Sequence, residues 1–92
     1  MKLQTITQSG SLESSDILIK VSPGKKGAGR KIELESVVLN EFGQSITSDI
    51  NAVLDTYDIK DVHMVANDRG ALTPTIKARV EAAIVKSGKG EE

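Results

Sequence analysis

Apolar positions along this chain follow first a strand period and then a helix period, and each change of period marks an element. Ile17, Ile19 and Val21 alternate with Leu18 and Lys20, the pattern of a strand buried mainly on one face. Ile32 and Leu34 alternate with Lys31, Glu33 and Glu35, predicting a second strand, read as the hairpin partner of the first. After Ser36, a residue type suited to an N-cap, the spacing lengthens. Val38, Phe42, Ile46, Ile50, Val53 and Tyr57 recur at helical intervals, predicting an amphipathic helix of about five turns. Val62, Met64 and Ala66 alternate with His63 and Val65 as a third strand, closed by the turn Asn67-Asp68-Arg69-Gly70.

Thr73-Pro74 then opens a second helix, with Ile76, Val80, Ala83 and Ile84 as its apolar stripe and Lys86 and Gly88 at its end. The expected fold class is α+β, in the order β-β-α-β-α, with both helices on one face of a three-stranded sheet. Residues 72–80 carry an alternative as a fourth strand, against which Thr73-Pro74 argues. The polar segment 1–15 is expected to be a mobile lead-in, 16–87 a single α+β domain, and 88–92 a loose tail.

Composition narrows the chemistry. The chain has 92 residues, one Phe, one Tyr, one His and no Cys. A core of this size must be aliphatic, and a thiol nucleophile, thiolate zinc site or disulfide framework is excluded. Neither a signal peptide at Met1-Lys2-Leu3-Gln4-Thr5-Ile6 nor a bilayer-spanning run is legible, so a cytoplasmic protein without membrane attachment is expected. Charge is uneven: Lys20, Lys25, Lys26, Arg30 and Lys31 make residues 20–31 basic, whereas eight acids between Glu33 and Asp68 face Lys60 alone.

Few groups here are suited to catalysis. The glycine loop Gly24-Lys25-Lys26-Gly27-Ala28-Gly29 has the glycine spacing of a phosphate-binding loop, but Arg30-Lys31 follows where Lys-Ser/Thr is required. A strand also follows it, rather than the helix N-terminus that cradles phosphate. His63 has Asp61 and Asp68 nearby in sequence, without the order of a nucleophilic triad or the spacing of metal ligands. With two aromatic residues, nucleic-acid binding by base stacking has no platform. An interaction domain that binds RNA or a protein through the basic loop 20–31 stays open as the alternative from another class.

The remaining feature is Gly10-Ser11-Leu12-Glu13-Ser14-Ser15-Asp16, a heptad that places a serine between carboxylates just before the first apolar strand. A serine without a neighbouring base is a weak nucleophile, so any reaction at Ser14 needs an external enzyme. This heptad, with Glu41-Phe42-Gly43, Asp68-Arg69-Gly70-Ala71-Leu72 and Lys77-Ala78-Arg79-Val80-Glu81-Ala82, resembles the acyl carrier (gamma) subunits of citrate lyase.

The resemblance implies that Ser14 carries a phosphoribosyl-dephospho-coenzyme A group by a phosphodiester bond. A dedicated transferase attaches it from the triphosphoribosyl precursor, with Glu13, Ser15 and Asp16 as flanking recognition residues. It further implies a non-catalytic carrier of acetyl and citryl thioesters between the alpha (transferase) and beta (lyase) subunits, with any metal in the beta subunit. Ser11, Arg69 and Lys77 stand where the family commonly has Thr, Lys and Arg, none of them at the attachment position. The malonate decarboxylase-type carrier, which uses the same kind of prosthetic group, is the alternative within the class.

Overall fold

Residues 1–90 are described by the structure, a computed structural model, and of the tail expected over 88–92 the last two residues lie outside them. The elements are β1 (Thr7–Gly10), β2 (Ile17–Pro23), β3 (Arg30–Ser36), α1 (Leu39–Thr56), β4 (Val62–Asp68) and α2 (Thr73–Gly88). The α+β class, with helices covering one face of the sheet, is as the apolar periods predict. Ile17, Ile19 and Val21 of β2 and Val62, Met64 and Ala66 of β4 are buried against Ile46, Ile50, Val53 and Leu54 of α1 and Ile76, Val80, Ala83 and Ile84 of α2. Each fully buried aliphatic side chain in this layer stabilises the fold by about 1.5–3 kcal/mol relative to exposure.

The structure corrects three details. The sheet has four strands in the order β1-β2-β4-β3, and the added strand is Thr7–Gly10 rather than residues 72–80, which are helical. β1 has no apolar alternation because it is held by polar bonds. Thr7 donates its hydroxyl to the Ala83 carbonyl (2.6 Å), Ser87 donates to the Thr5 carbonyl (2.6 Å), and the Lys86 ammonium donates to the Gln8 carbonyl.

Second, β2 and β3 are not a hairpin. β4 lies between them, antiparallel to β2 and parallel to β3. The 18 residues of α1 rise roughly 27 Å, enough to return the chain along the whole of β3, so β4 enters parallel to it.

Third, the helix caps shift. Ser36 ends β3 and accepts the Val38 N–H (3.1 Å), while α1 begins at Leu39. Thr73 is already inside α2, where it donates to Asp49 (2.8 Å). Phe42 lies on the predicted stripe but is 55% exposed. No helix among the described residues is long and apolar enough to cross a membrane.

Candidate functional site

The heptad forms the connection between β1 and β2, and most of its residues are held in place. Gly10 has φ +88°, and a Cβ there would lie 1.8 Å from the Ile17 carbonyl oxygen, so the chain reverses directly over that carbonyl. The Ser11 hydroxyl donates to Asp16 Oδ2 (2.7 Å) and accepts the Glu13 N–H (3.2 Å). Asp16 N–H donates to the Glu13 carbonyl (3.1 Å), closing a turn around Ser14 and Ser15. Ser15 is left-handed (φ +66°). Its N–H donates to the Arg69 carbonyl (2.8 Å), and the Arg69 N–H donates to the Asp16 carbonyl (2.9 Å), carrying the β2–β4 ladder one step past Ile17 and Asp68.

The base of this loop is a charge-assisted clamp. Arg79 of α2 donates from Nε to Asp16 Oδ1 (3.0 Å) and from an η nitrogen to Oδ2 (3.1 Å), a bidentate fork. Asp16 also accepts the Ile17 N–H (2.8 Å) and its side chain is only 14% exposed. The Arg79 and Ser11 hydrogen bonds push its carboxyl down from 3.8 to about 2. Because Arg79 is itself 43% exposed, solvent screening holds the clamp's contribution to about 1–2 kcal/mol.

A depressed carboxyl pKa stabilises above the unfolded value and is lost as pH falls through the folded one. Urea denaturation of wild type is therefore expected to lose this increment between about pH 4 and pH 2. Arg79→Met should lack it already at neutral pH and flatten the acid limb. An acid limb identical in the two proteins contradicts the clamp.

The neighbouring turn is held by Asp68, a fully buried side chain at the end of β4. It accepts the Ser36 hydroxyl (2.8 Å) and the N–H groups of Gly70 (3.1 Å) and Ala71 (3.0 Å). What the clamps leave free is the tip: Leu12, Glu13, Ser14 and Ser15 are exposed. Among the described residues none hydrogen-bonds the Ser14 hydroxyl, and no base is placed to activate it. Such a hydroxyl can be presented to another enzyme but does not itself attack.

Of the four residues singled out in the heptad, the structure groups Glu13, Ser14 and Ser15 at the surface and turns Asp16 inward onto Arg79. Sequence reasoning gave Arg79 no role of its own. The available signal was its helical position between Ile76 and Ala83, where a charge on the buried border requires a partner.

The other candidates are accounted for elsewhere. His63 pairs with Glu33 of β3 (2.5 Å), not with Asp61 or Asp68. This bond, with Lys31 adding to it, holds the Glu33 carboxyl below its usual range. In the glycine loop, the Gly27 and Gly29 N–H groups are occupied by the carboxylate of Asp61 (3.0 and 2.8 Å), so amides that a phosphate would need are already bonded. Arg30 bonds Asp55, Asn51 and the Ile59 carbonyl, leaving the lysines as that loop's exposed cations. No group of three or more His, Cys, Asp or Glu that could hold a metal ion exists among the described residues.

Comparison with known proteins places this chain in a family. The family model described as malonate decarboxylase delta subunit, of the acyl carrier protein class, matches residues 4–87. The citrate lyase acyl carrier protein of Latilactobacillus sakei is 45% identical over 92 residues, covering 100% of this chain and 88% of that protein. That of Halothermothrix orenii is 39% identical, covering 100% of this chain and 96% of that protein. That of Klebsiella pneumoniae is 30% identical over 89 residues, covering 97% and 91%.

In the crystal structure of a Pseudomonas malonate decarboxylase hetero-tetramer in complex with malonate, one chain matches with a TM-score of 0.73. It spans 96% of this chain and 93% of that one at 17% identity, a likeness of fold. The class defined by fold, loop and relatives is the small acyl carrier protein. Within it, the chain belongs to the citrate lyase acyl carrier protein family.

Proposed function

We propose that this chain is the acyl carrier subunit of a citrate lyase, loaded at Ser14 and performing no chemical step alone. The observation that carries this reading is the contrast within one loop. Gly10, Ser11 and Asp16 are fixed, Ser15 is pinned through its N–H, and Ser14 stands at the exposed tip with its hydroxyl bonded to no described residue. The residues fit a phosphodiester-linked phosphoribosyl-dephospho-coenzyme A: the hydroxyl is accessible, and the Asp16 charge that would oppose a nearby phosphate is neutralised by Arg79. When bound, such a group supplies the thiol that this cysteine-free chain lacks.

The protein's own contribution is placement. Glu13 and Ser15 flank the hydroxyl and are the features a loading transferase would read, while Asp16 sets the loop's shape through Arg79. The tether raises the local concentration of the carried acyl group at partner active sites, those of the alpha and beta subunits in this reading. The setting is the cytoplasm. A malonate decarboxylase-type carrier is the second reading, favoured by the fold likeness and the family model.

Intact-mass measurement after co-expression with the citrate lyase transferase tests the site. One cofactor-sized increment is expected, on the peptide bearing Ser14. No increment, or an increment on Ser11 or Ser15, overturns the reading. Reconstitution of the loaded chain with alpha and beta subunits of citrate lyase, against the malonate decarboxylase subunits, separates the two carriers.

A further inference from the structure

The end of the domain that carries the Ser14 loop is unusually apolar. Of the eight exposed large hydrophobic side chains among the described residues, Leu12, Val37, Leu39, Phe42 and Leu72 lie in the β1–β2 loop, at the β3–α1 junction or at the β4–α2 junction. The last two junctions enclose a groove of about 290 Å³, whose apolar lining is Val38, Phe42, Ile46, Ala71, Leu72 and Ile76. This is the lower end of the range for small-ligand pockets, roughly 300 Å³, and the composition is of the same kind. Phe42 (55% exposed) and Leu72 (75% exposed) form a rim left open by the described residues.

The groove adjoins the loop by two independent connections. Ser15 is bonded through its N–H to the carbonyl of Arg69, and Gly70, the next residue, already lines the groove. Ile76 on the groove wall and Arg79, which holds Asp16, are one turn apart on α2. A chain attached at Ser14 therefore starts on the same end of the domain as the groove, linked to its lining through Ser15, Arg69 and Gly70.

We propose that this groove is a berth for the uncharged acyl end of the arm carried on Ser14, an inference that rests on the Ser14 reading. The polar lining determines which acyl ends fit. Asp49 accepts the Thr73 hydroxyl (2.8 Å), and both residues belong to the groove lining, which puts a carboxylate charge at the groove. An acetyl end exchanges water for apolar side chains there. An acyl end bearing carboxylates would lose its hydration and meet a like charge, so it stays in solvent. The groove thus holds the uncharged state and releases the carboxylated one, without any conformational change in the domain.

Methyl and amide NMR of the chain loaded at Ser14, with the mass of each sample measured first, tests this directly. With an acetylated arm, shifts relative to the unloaded protein are expected at Val38, Ile46, Leu72 and Ile76 in addition to residues 11–16. With a glutarylated arm, and with acetylated Leu72→Asp, they are expected at residues 11–16 only. A loaded, acetylated wild type whose shifts stop at the loop overturns the berth, and equal groove shifts with the glutarylated arm overturn its selectivity. A missing mass increment instead rejects the Ser14 reading, so the two failures are distinguishable.

Discussion

Gly10→Ala is expected to destabilise the domain by more than about 3 kcal/mol, the largest effect of any single methyl addition in the loop. Left-handed backbone alone costs a non-glycine residue roughly 1–2 kcal/mol. Here the added Cβ would also sit 1.8 Å from the Ile17 carbonyl oxygen, and that oxygen is backbone at the start of the buried strand β2. Relief requires β1 to separate from β2, which breaks the Gly10–Leu18 and Ser9–Ile19 register. Gly70 has almost the same φ, +90°, with nothing within 4 Å of a built Cβ, so Gly70→Ala serves as the control. It should cost only the conformational increment, about 1 kcal/mol. For a domain of this size the two should separate by roughly 8 °C or more in melting temperature. Equal melting temperatures would show that the close approach at Gly10 carries no energy.

Ser14→Ala should abolish loading while leaving stability within about 0.5 kcal/mol of wild type, since the side chain is exposed and its hydroxyl is bonded to no described residue. That pairing of a complete functional loss with an intact melting curve distinguishes an anchor from a structural serine. Ser15→Gly provides the opposite result. Its left-handed conformation (φ +66°) favours glycine, so the variant should gain up to about 1 kcal/mol and still be loaded at Ser14, more slowly because one of the features the transferase reads is gone. Intact mass and thermal melts on the same samples read both quantities. Loading that survives Ser14→Ala, or that is lost in Ser15→Gly and retained in Ser14→Ala, moves the attachment to the neighbouring serine.

The parts of the fold visible in the sequence are those built on apolar burial. Ile17, Ile19 and Val21, or Ile46, Ile50 and Val53, repeat because one face of each element is buried, so both helices and three strands could be read directly. β1 escaped because Thr7-Gln8-Ser9-Gly10 is held by hydroxyl and ammonium bonds to α2 and presents no alternation. Strand order escaped for another reason: β2 and β3 both alternate as hairpin partners would, and nothing in their patterns says that β4 comes between them.

At the candidate site, the heptad was legible as a motif, but the way its residues are held was not. Asp16 looks like a displayed acid in sequence. Its carboxylate is in fact spent on Arg79, which is 63 positions away in the chain. The position of Arg79 on the buried border of α2 shows that it needs a partner, but not that the partner is Asp16.

The Arg79–Asp16 fork has a consequence for the assembly as a machine. It ties the β1–β2 loop to α2, so a group carried on Ser14, as proposed, pivots about one fixed point on a rigid body. A floppy anchor would blur that origin and let the carrier serve sites at many distances. A fixed pivot sweeps a defined shell, and every active site the carrier visits must open onto that shell. In the proposed carrier reading, the distances at which partner sites can be served are thereby set in part by an ion pair inside the carrier itself.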